Sequence, residues 1–224
     1  QDDRLSRNLY NPQLYLLAYQ NLYANKGSTT AGADGATLSG MSLKRIESLI
    51  KKLRDRSYQP HPARRQYIPK KSGNGLRPLG IPAADDKLVQ EAVRMILESI
   101  YEPTFQSTSH GFRPGKSCHT ALSQIQKTFT GVSWFVEGDI KGCFDNIDHH
   151  ILVNILKRRI KDEAFIDLIW KLLRAGYLED WMKHQTYSGT PQGSGVRPLL
   201  AKSHMNELDL FLEKPREQFG KGDK

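Results

Sequence analysis

The chain has 224 residues, with 33 Lys and Arg against 24 Asp and Glu for a net charge of +9, and 38% hydrophobic residues. That length buries a sizeable core as one large domain or two small ones, and no apolar run approaches the ~20 residues of a membrane span. The two cysteines, Cys118 and Cys143, lack metal-ligand spacing, which argues against a disulfide framework or a zinc site. The polar N-terminus has no signal-peptide pattern, so a soluble protein of a reducing cytoplasm is expected.

Charge placement says more than its total. Between Lys44 and Arg77 lie eleven basic residues (Lys44, Arg45, Lys51, Lys52, Arg54, Arg56, Arg64, Arg65, Lys70, Lys71 and Arg77) and two acids, Glu47 and Asp55. The segment carries the whole net charge, and the remainder is balanced. A local cationic block is an electrostatic footprint for a polyanion, and equally the composition of a solvated helix face.

In chain order, Leu14, Leu17, Ala18 and Leu22 share a stripe that predicts an amphipathic helix over Leu9 to Tyr23. A loop rich in glycine and hydroxyls follows, Asn25 to Gly35. Ser42 is placed to cap a second helix with Leu43, Ile46, Leu49, Ile50 and Leu53 inward and the lysines and arginines outward. Gln66 to Ile68 and Leu76 to Ile81 read as strands of a hairpin with a glycine-rich tip. Beyond Pro82, Asp85 or Asp86 is expected to cap a helix carrying Leu88, Ala92, Met95, Ile96 and Ile100. The polar loop Ser109 to Ser117 leads into a helix with Leu122, Ile125 and Phe129. A strand is predicted over Trp134 to Ile140. Asp148 then caps one helix, a second carries Phe165 to Leu173, and Pro198 opens a last helix reaching about Leu212, with a frayed polar tail over Lys214 to Lys224.

The predicted strand alternates, with Phe135, Glu137 and Asp139 on one face and Trp134, Val136 and Ile140 on the other. A carboxylate at a strand end either binds a hard cation such as Mg²⁺ or caps the next element. In Gly142-Cys143-Phe144, small residues allow close backbone approach to a phosphate, and Phe144 either occupies the place of a ribose 2′-hydroxyl or packs. Gln192, between Pro191 and Gly193, reaches a base or sugar or simply turns the chain. Lys70, Lys71 and Arg77 on the hairpin suit a triphosphate clamp or a solvated tip. His149 and His150 at a helix start point about 100° apart, so a shared metal site is not expected and solvent is.

Taken in order, these segments resemble the reverse transcriptases encoded by group II introns, also called maturases. Asn25 to Gly35 is similar to that family's N-terminal extension motif, Arg77-Pro78-Leu79-Gly80-Ile81-Pro82 to its first fingers motif, and Ser109 to Gly115 to its second. Asp139-Ile140-Lys141-Gly142-Cys143-Phe144-Asp145 is similar to motif A and Pro191-Gln192-Gly193 to motif B. The resemblance implies an α+β right-hand polymerase, helix-rich with small antiparallel sheets. Residues 1–40 would form an N-terminal extension, 41–130 the fingers and 131–224 a partial palm.

By that resemblance Asp139 is the catalytic carboxylate, and Asp139 with the Ile140 carbonyl would ligate two Mg²⁺ ions. The dNTP would meet Lys70 or Lys71, Arg77, Gly142, Cys143, Phe144 and Gln192. RNA would meet Lys44, Arg45, Lys51, Lys52, Arg54, Arg64, Arg65, Arg113 and Lys116. The implied activity is RNA-directed DNA polymerisation with a role in intron splicing and retrotransposition. Its partners are group II intron RNA and an RNA template with a DNA primer, in a bacterial cytoplasm and without a membrane.

The chain departs from the family at Arg197, Lys202, Ser203 and His204, where the motif B helix normally reads Ser, Asn and then apolar residues. No aromatic-x-Asp-Asp turn occurs before Lys224, so a fragment lacking that motif and the thumb is expected, catalytically incomplete by itself. A truncated palm exposes apolar surface and leaves room for a homodimer. The alternatives are a non-catalytic RNA-binding platform, and a retron-type reverse transcriptase, which fits the Asn25 to Gly35 loop less well.

Overall fold

The computed structural model describes residues 3–218 except 26, 71, 72, 74, 180, 181, 187, 190–192 and 194, with side chains as far as residue 214. Helix α1 (Pro12–Tyr23) follows a short 3₁₀ turn (Leu5–Tyr10), with Asn11 accepting from the Gln13 amide and Pro12 in the first turn, where a missing N–H costs nothing. It buries Tyr15 and Ala18, whereas Leu17 faces solvent. Helix α2 (Leu43–Arg54) is capped by Ser42, whose hydroxyl accepts from the Arg45 amide, and buries Ile46, Leu49, Ile50 and Leu53. Leu43, expected inward, is 60% exposed, because at the first helical position it lies beyond the reach of the core.

Strands β1 (Ala63–Pro69) and β2 (Leu76–Ile81) form the predicted hairpin, with Arg65 opposite Gly80 and Ile68 opposite Arg77. Helix α3 (Ala84–Tyr101) is the central element, packing against α1 and burying Leu88, Val89, Ala92, Val93, Ile96, Leu97 and Ile100. Its N-cap is Ala83, which makes no side-chain cap bond; Asp85 and Asp86 lie inside the first turn instead, where carboxylates favour the helix dipole. Asp86 is buried and accepts from the Tyr58 hydroxyl at 2.5 Å and the His61 amide at 2.8 Å. Burial pushes its pKa up in spite of these bonds.

Helix α4 (Cys118–Thr128) opens with a capping box between Ser117 and Thr120 but buries none of its residues. Leu122, Ile125 and Phe129 form the expected stripe and leave it exposed. Helices α5 (His149–Lys157) and α6 (Glu163–Leu173) begin at the caps Asp148 and Asp162. Asp162 accepts from the Phe165 amide at 3.1 Å and from the Ser6 amide at 2.7 Å, tying the N-terminal turn to α6. Phe165, Leu168, Ile169, Leu172 and Leu173 are all buried, as the spacing predicts.

Strands β3 (Tyr177–Glu179) and β4 (Met182–His184) complete one four-stranded sheet of order β2-β1-β3-β4. β3 runs parallel to β1, so the sheet is mixed and not antiparallel as expected. The reason is topological: a parallel pair needs a long crossover, and here it passes through α3 to α6. Helix α7 (Arg197–Gln218) passes beyond Leu212, and of the tail expected to fray, 219–224 lies outside the described residues. A single core cluster joins α1, α2, α3, α5, α6 and the start of α7, so truncating a residue such as Leu88 leaves a cavity costing about 2–5 kcal/mol.

Candidate nucleic-acid interface

The residues expected to bind phosphates divide by what their side chains already touch. Lys44, Lys51, Lys52 and Arg54 lie exposed on α2, opposite its buried stripe. Arg45 instead donates to Asp85 at 2.7 Å, with Asp34 at 3.9 Å. Arg65 pairs with Glu179 at 3.1 Å and lays its guanidinium 3.6 Å from the Tyr177 ring centre, locking β1 to β3. Arg64 donates to the Ala31 carbonyl, and Lys87 to those of Gly27 and Thr30, so both hold the Asn25 to Gly35 loop.

Arg113, expected to contact RNA, is engaged by its own loop. Its side chain is 10% exposed and bonds to the Glu102 carboxylate at 2.7 Å and to the carbonyls of Gln106 and Ser109. Five donors in a fixed fork fill this nest and leave little for a phosphate. Lys116 is half-buried beside the same loop.

The predicted strand at Trp134 to Ile140 is absent. The segment pairs with no neighbouring strand among the described residues, and every residue of it is exposed, Val136 fully. Alternation gives a strand two faces only when another strand accepts its hydrogen bonds. Asp139 therefore stands in solvent, and no hydrogen bond or ion pair joins it to Lys70 or Arg77 among the described residues. Lys70 and Arg77 are likewise exposed on the hairpin, while Lys71 and Gln192 lie outside the described residues.

After Asp139 the chain turns sharply. Gly142 has φ of 61°, and a Cβ there would lie 2.8 Å from the Asn146 side chain. The Ile140 carbonyl accepts from the Cys143 amide at 3.3 Å, and Cys143 is a partly exposed free thiol. Phe144 packs edge-on to Phe112 at 6.1 Å and lies under the Arg197 guanidinium at 4.8 Å. Arg197 also donates to Asp145 at 2.7 Å, so its charge has a local partner. Lys202 donates to the Gly111 carbonyl and sits over Phe105; burial, and then Arg113, push its pKa down to about 8.

Sequence reasoning misplaced His149 and did not single out Trp170. His149 is buried and hydrogen-bonds to the Gly189 carbonyl, contrary to the solvent-facing expectation, because the loop at Ser188 folds back onto α5. Trp170 meets both Arg174 and His150, and the i, i+4 spacing of Trp170 and Arg174 foreshadows the first of these contacts.

Residues 68–218 match the family model described as reverse transcriptase (RNA-dependent DNA polymerase). The chain belongs to the reverse transcriptase family. It is 55% identical over 216 residues to the group II intron-encoded protein LtrA of Lactococcus lactis subsp. cremoris, covering 96% of this chain and 36% of LtrA. A putative COX1/OXI3 intron 2 protein of Saccharomyces cerevisiae is 41% identical over 213 residues, covering 94% of this chain and 25% of its own length. The mitochondrial nuclear intron maturase 1 of Arabidopsis thaliana is 32% identical over 126 residues, 56% of this chain and 18% of that protein. The chain thus spans about a third or less of these relatives.

One carboxylate at Asp139 does not hold two divalent ions, and among the described residues no group of three His, Cys, Asp or Glu is placed to bind a metal. The side chains described do not by themselves fit a two-metal centre.

Proposed function

We propose that this chain is the RNA-binding part of a group II intron-encoded reverse transcriptase, a protein that copies RNA into DNA and assists splicing of its intron. In this reading residues 1–40 are the N-terminal extension, 41–130 the fingers and 131–224 the first part of the palm. The observation that carries it is the exposed cationic face of α2, Lys44, Lys51, Lys52 and Arg54, on a helix whose other face is locked into the core. Fixed positive charge on a rigid scaffold attracts a phosphate backbone by releasing its counterions. Intron RNA, and an RNA template with its DNA primer, are the partners that such a surface fits.

In this reading Asp139 is one metal-binding carboxylate, Lys70 and Arg77 hold the dNTP and Phe144 excludes ribonucleotides. Residues 1–224 alone, given Mg²⁺, dNTPs and a primed RNA template, are expected to bind RNA and to give no primer extension. In the longer protein Asp139→Ala abolishes DNA synthesis and leaves RNA affinity intact. The rival reading, a platform that binds RNA without catalysis, uses the same cationic face of α2. DNA synthesis that survives Asp139→Ala in the longer protein would remove Asp139 from the reaction.

A further inference from the structure

Trp170 occupies the last turn of α6, half-buried, with the Arg174 guanidinium 4.2 Å from its ring centre and the His150 ring edge-on at 4.8 Å. Two cavities share Trp170 and Arg174. One, of about 280 Å³, reaches Tyr10 and Arg56 just beyond the C-terminus of α2. The other, of about 390 Å³, opens beside His149 and His150. At the α2 end the pattern of cation on ring repeats, with the Arg54 guanidinium 5.3 Å from the Tyr10 ring centre.

The cations here are not all needed by the fold. Lys171 donates to the carbonyls of Arg56 and Tyr58 at 2.7 and 2.9 Å, so it satisfies the backbone after α2. Arg174 remains exposed, and Arg56 meets a loose, solvent-exposed Asp167 at 3.7 Å. Aromatic faces rimmed by guanidinium groups suit a ligand with flat rings joined by anions. An acidic peptide would use the cations and leave the rings idle, and a duplex would present phosphates while keeping its bases stacked inside.

We propose that the Trp170 region is a binding site for single-stranded RNA, in which an unpaired base stacks on the Trp170–Arg174 platform and flanking phosphates meet Arg56 and Arg54. The site rests on the RNA-binding reading above and continues the cationic face of α2 past its C-terminus.

The test is fluorescence anisotropy of residues 1–224 with an unstructured RNA oligonucleotide and with a blunt RNA duplex of equal length. Trp170→Leu keeps apolar bulk without a π-face and is expected to weaken single-strand binding about tenfold while leaving duplex binding nearly unchanged. Arg174→Glu, at an exposed position, should weaken single-strand binding and flatten its salt dependence. A 5-iodouridine oligonucleotide should crosslink to the peptide containing Trp170, read by mass spectrometry on the unaltered protein. If both variants keep their melting temperature and their single-strand affinity, the site is refuted and the broader RNA reading stands. If the unaltered protein binds neither RNA, that broader reading fails first. Should Trp170→Leu not fold, the absence of any crosslink near Trp170 overturns the proposal by itself.

Discussion

Replacing Lys51, Lys52 and Arg54 together with glutamine removes three charges from one exposed face of α2 and keeps strong helix formers at each position. If each contacts one phosphate, the slope of log K against log salt becomes shallower by about 0.7 per contact for a single strand, or about 2 for the three. Between 50 and 200 mM salt the unaltered chain should then lose about twentyfold more affinity than the variant, so the two curves converge as salt rises. The same three residues are the basic side chains of the helix's last turn, where positive charge offsets the dipole. The variant should therefore melt slightly earlier, by about a few tenths of a kcal/mol per charge at low salt, and this deficit should fade as salt is added. Anisotropy titrations at four salt concentrations, paired with thermal melts, separate the two effects. An unchanged slope in a folded variant would take α2 out of the interface, and with it the observation on which the proposed function stands.

Lys202 links the fold to pH. Its pKa falls from the usual lysine range to about 8 in the folded chain, so between about pH 8 and 10.5 the unfolded chain holds a proton that the folded one lacks, and stability rises with pH. Below pH 8 both states are charged and the full cost of burying the ammonium remains. At 1.36 kcal/mol per pKa unit, discounted by about half because the ammonium sits under a surface loop, that cost is about 1–2 kcal/mol. Urea midpoints of Lys202→Met should be higher than those of the unaltered chain at pH 7, and the difference should vanish near pH 10; a constant difference would discard the linkage. Gly193 has φ of 75°, and a Cβ there would lie 1.8 Å from the Gly80 carbonyl oxygen. Gly193→Ala is therefore expected to pull the loop before α7 off β2 and to cost more than about 1 kcal/mol, visible as an earlier thermal transition; an unchanged melt would mean that the loop has room to move.

The elements legible in the sequence are those whose evidence is local. Ser42 with Ile46, Leu49, Ile50 and Leu53 carries its own cap and its own period, and the structure keeps both. The β1–β2 hairpin announces itself through its glycine-rich tip. By contrast β3 and β4 have three residues each and gain their identity from β1, more than a hundred residues away. Trp134 to Ile140 alternates as a strand should, yet no neighbour among the described residues accepts its hydrogen bonds, so the pattern alone cannot make the element. At Asp139 the sequence pointed to a carboxylate at a strand end, and the structure shows an exposed carboxylate on an unpaired segment. At Arg113, Gly-Phe-Arg-Pro-Gly reads as an open polar loop, whereas the loop's own carbonyls and Glu102 enclose the guanidinium, partners that lie too far along the chain for the motif to announce.

A count of charges overstates the footprint for RNA, because several arginines are engaged by the fold. Arg45, Arg65 and Arg113 each reach a carboxylate within 3.1 Å, a geometry that a planar fork fits better than an ammonium does. Lys44, Lys51 and Lys52 sit on a helix face turned to water, where flexible stems can follow a phosphate. It follows that Arg65→Gln should behave as a packing change. It breaks the pair with Glu179, strips the cation from Tyr177 and loosens β3 from β1, so the melting temperature should fall while the salt slope of RNA binding moves far less than on neutralising α2. A large change in slope with an unchanged melt would reverse the assignment and return Arg65 to the interface, showing that its contact with Glu179 yields to a phosphate when RNA is bound.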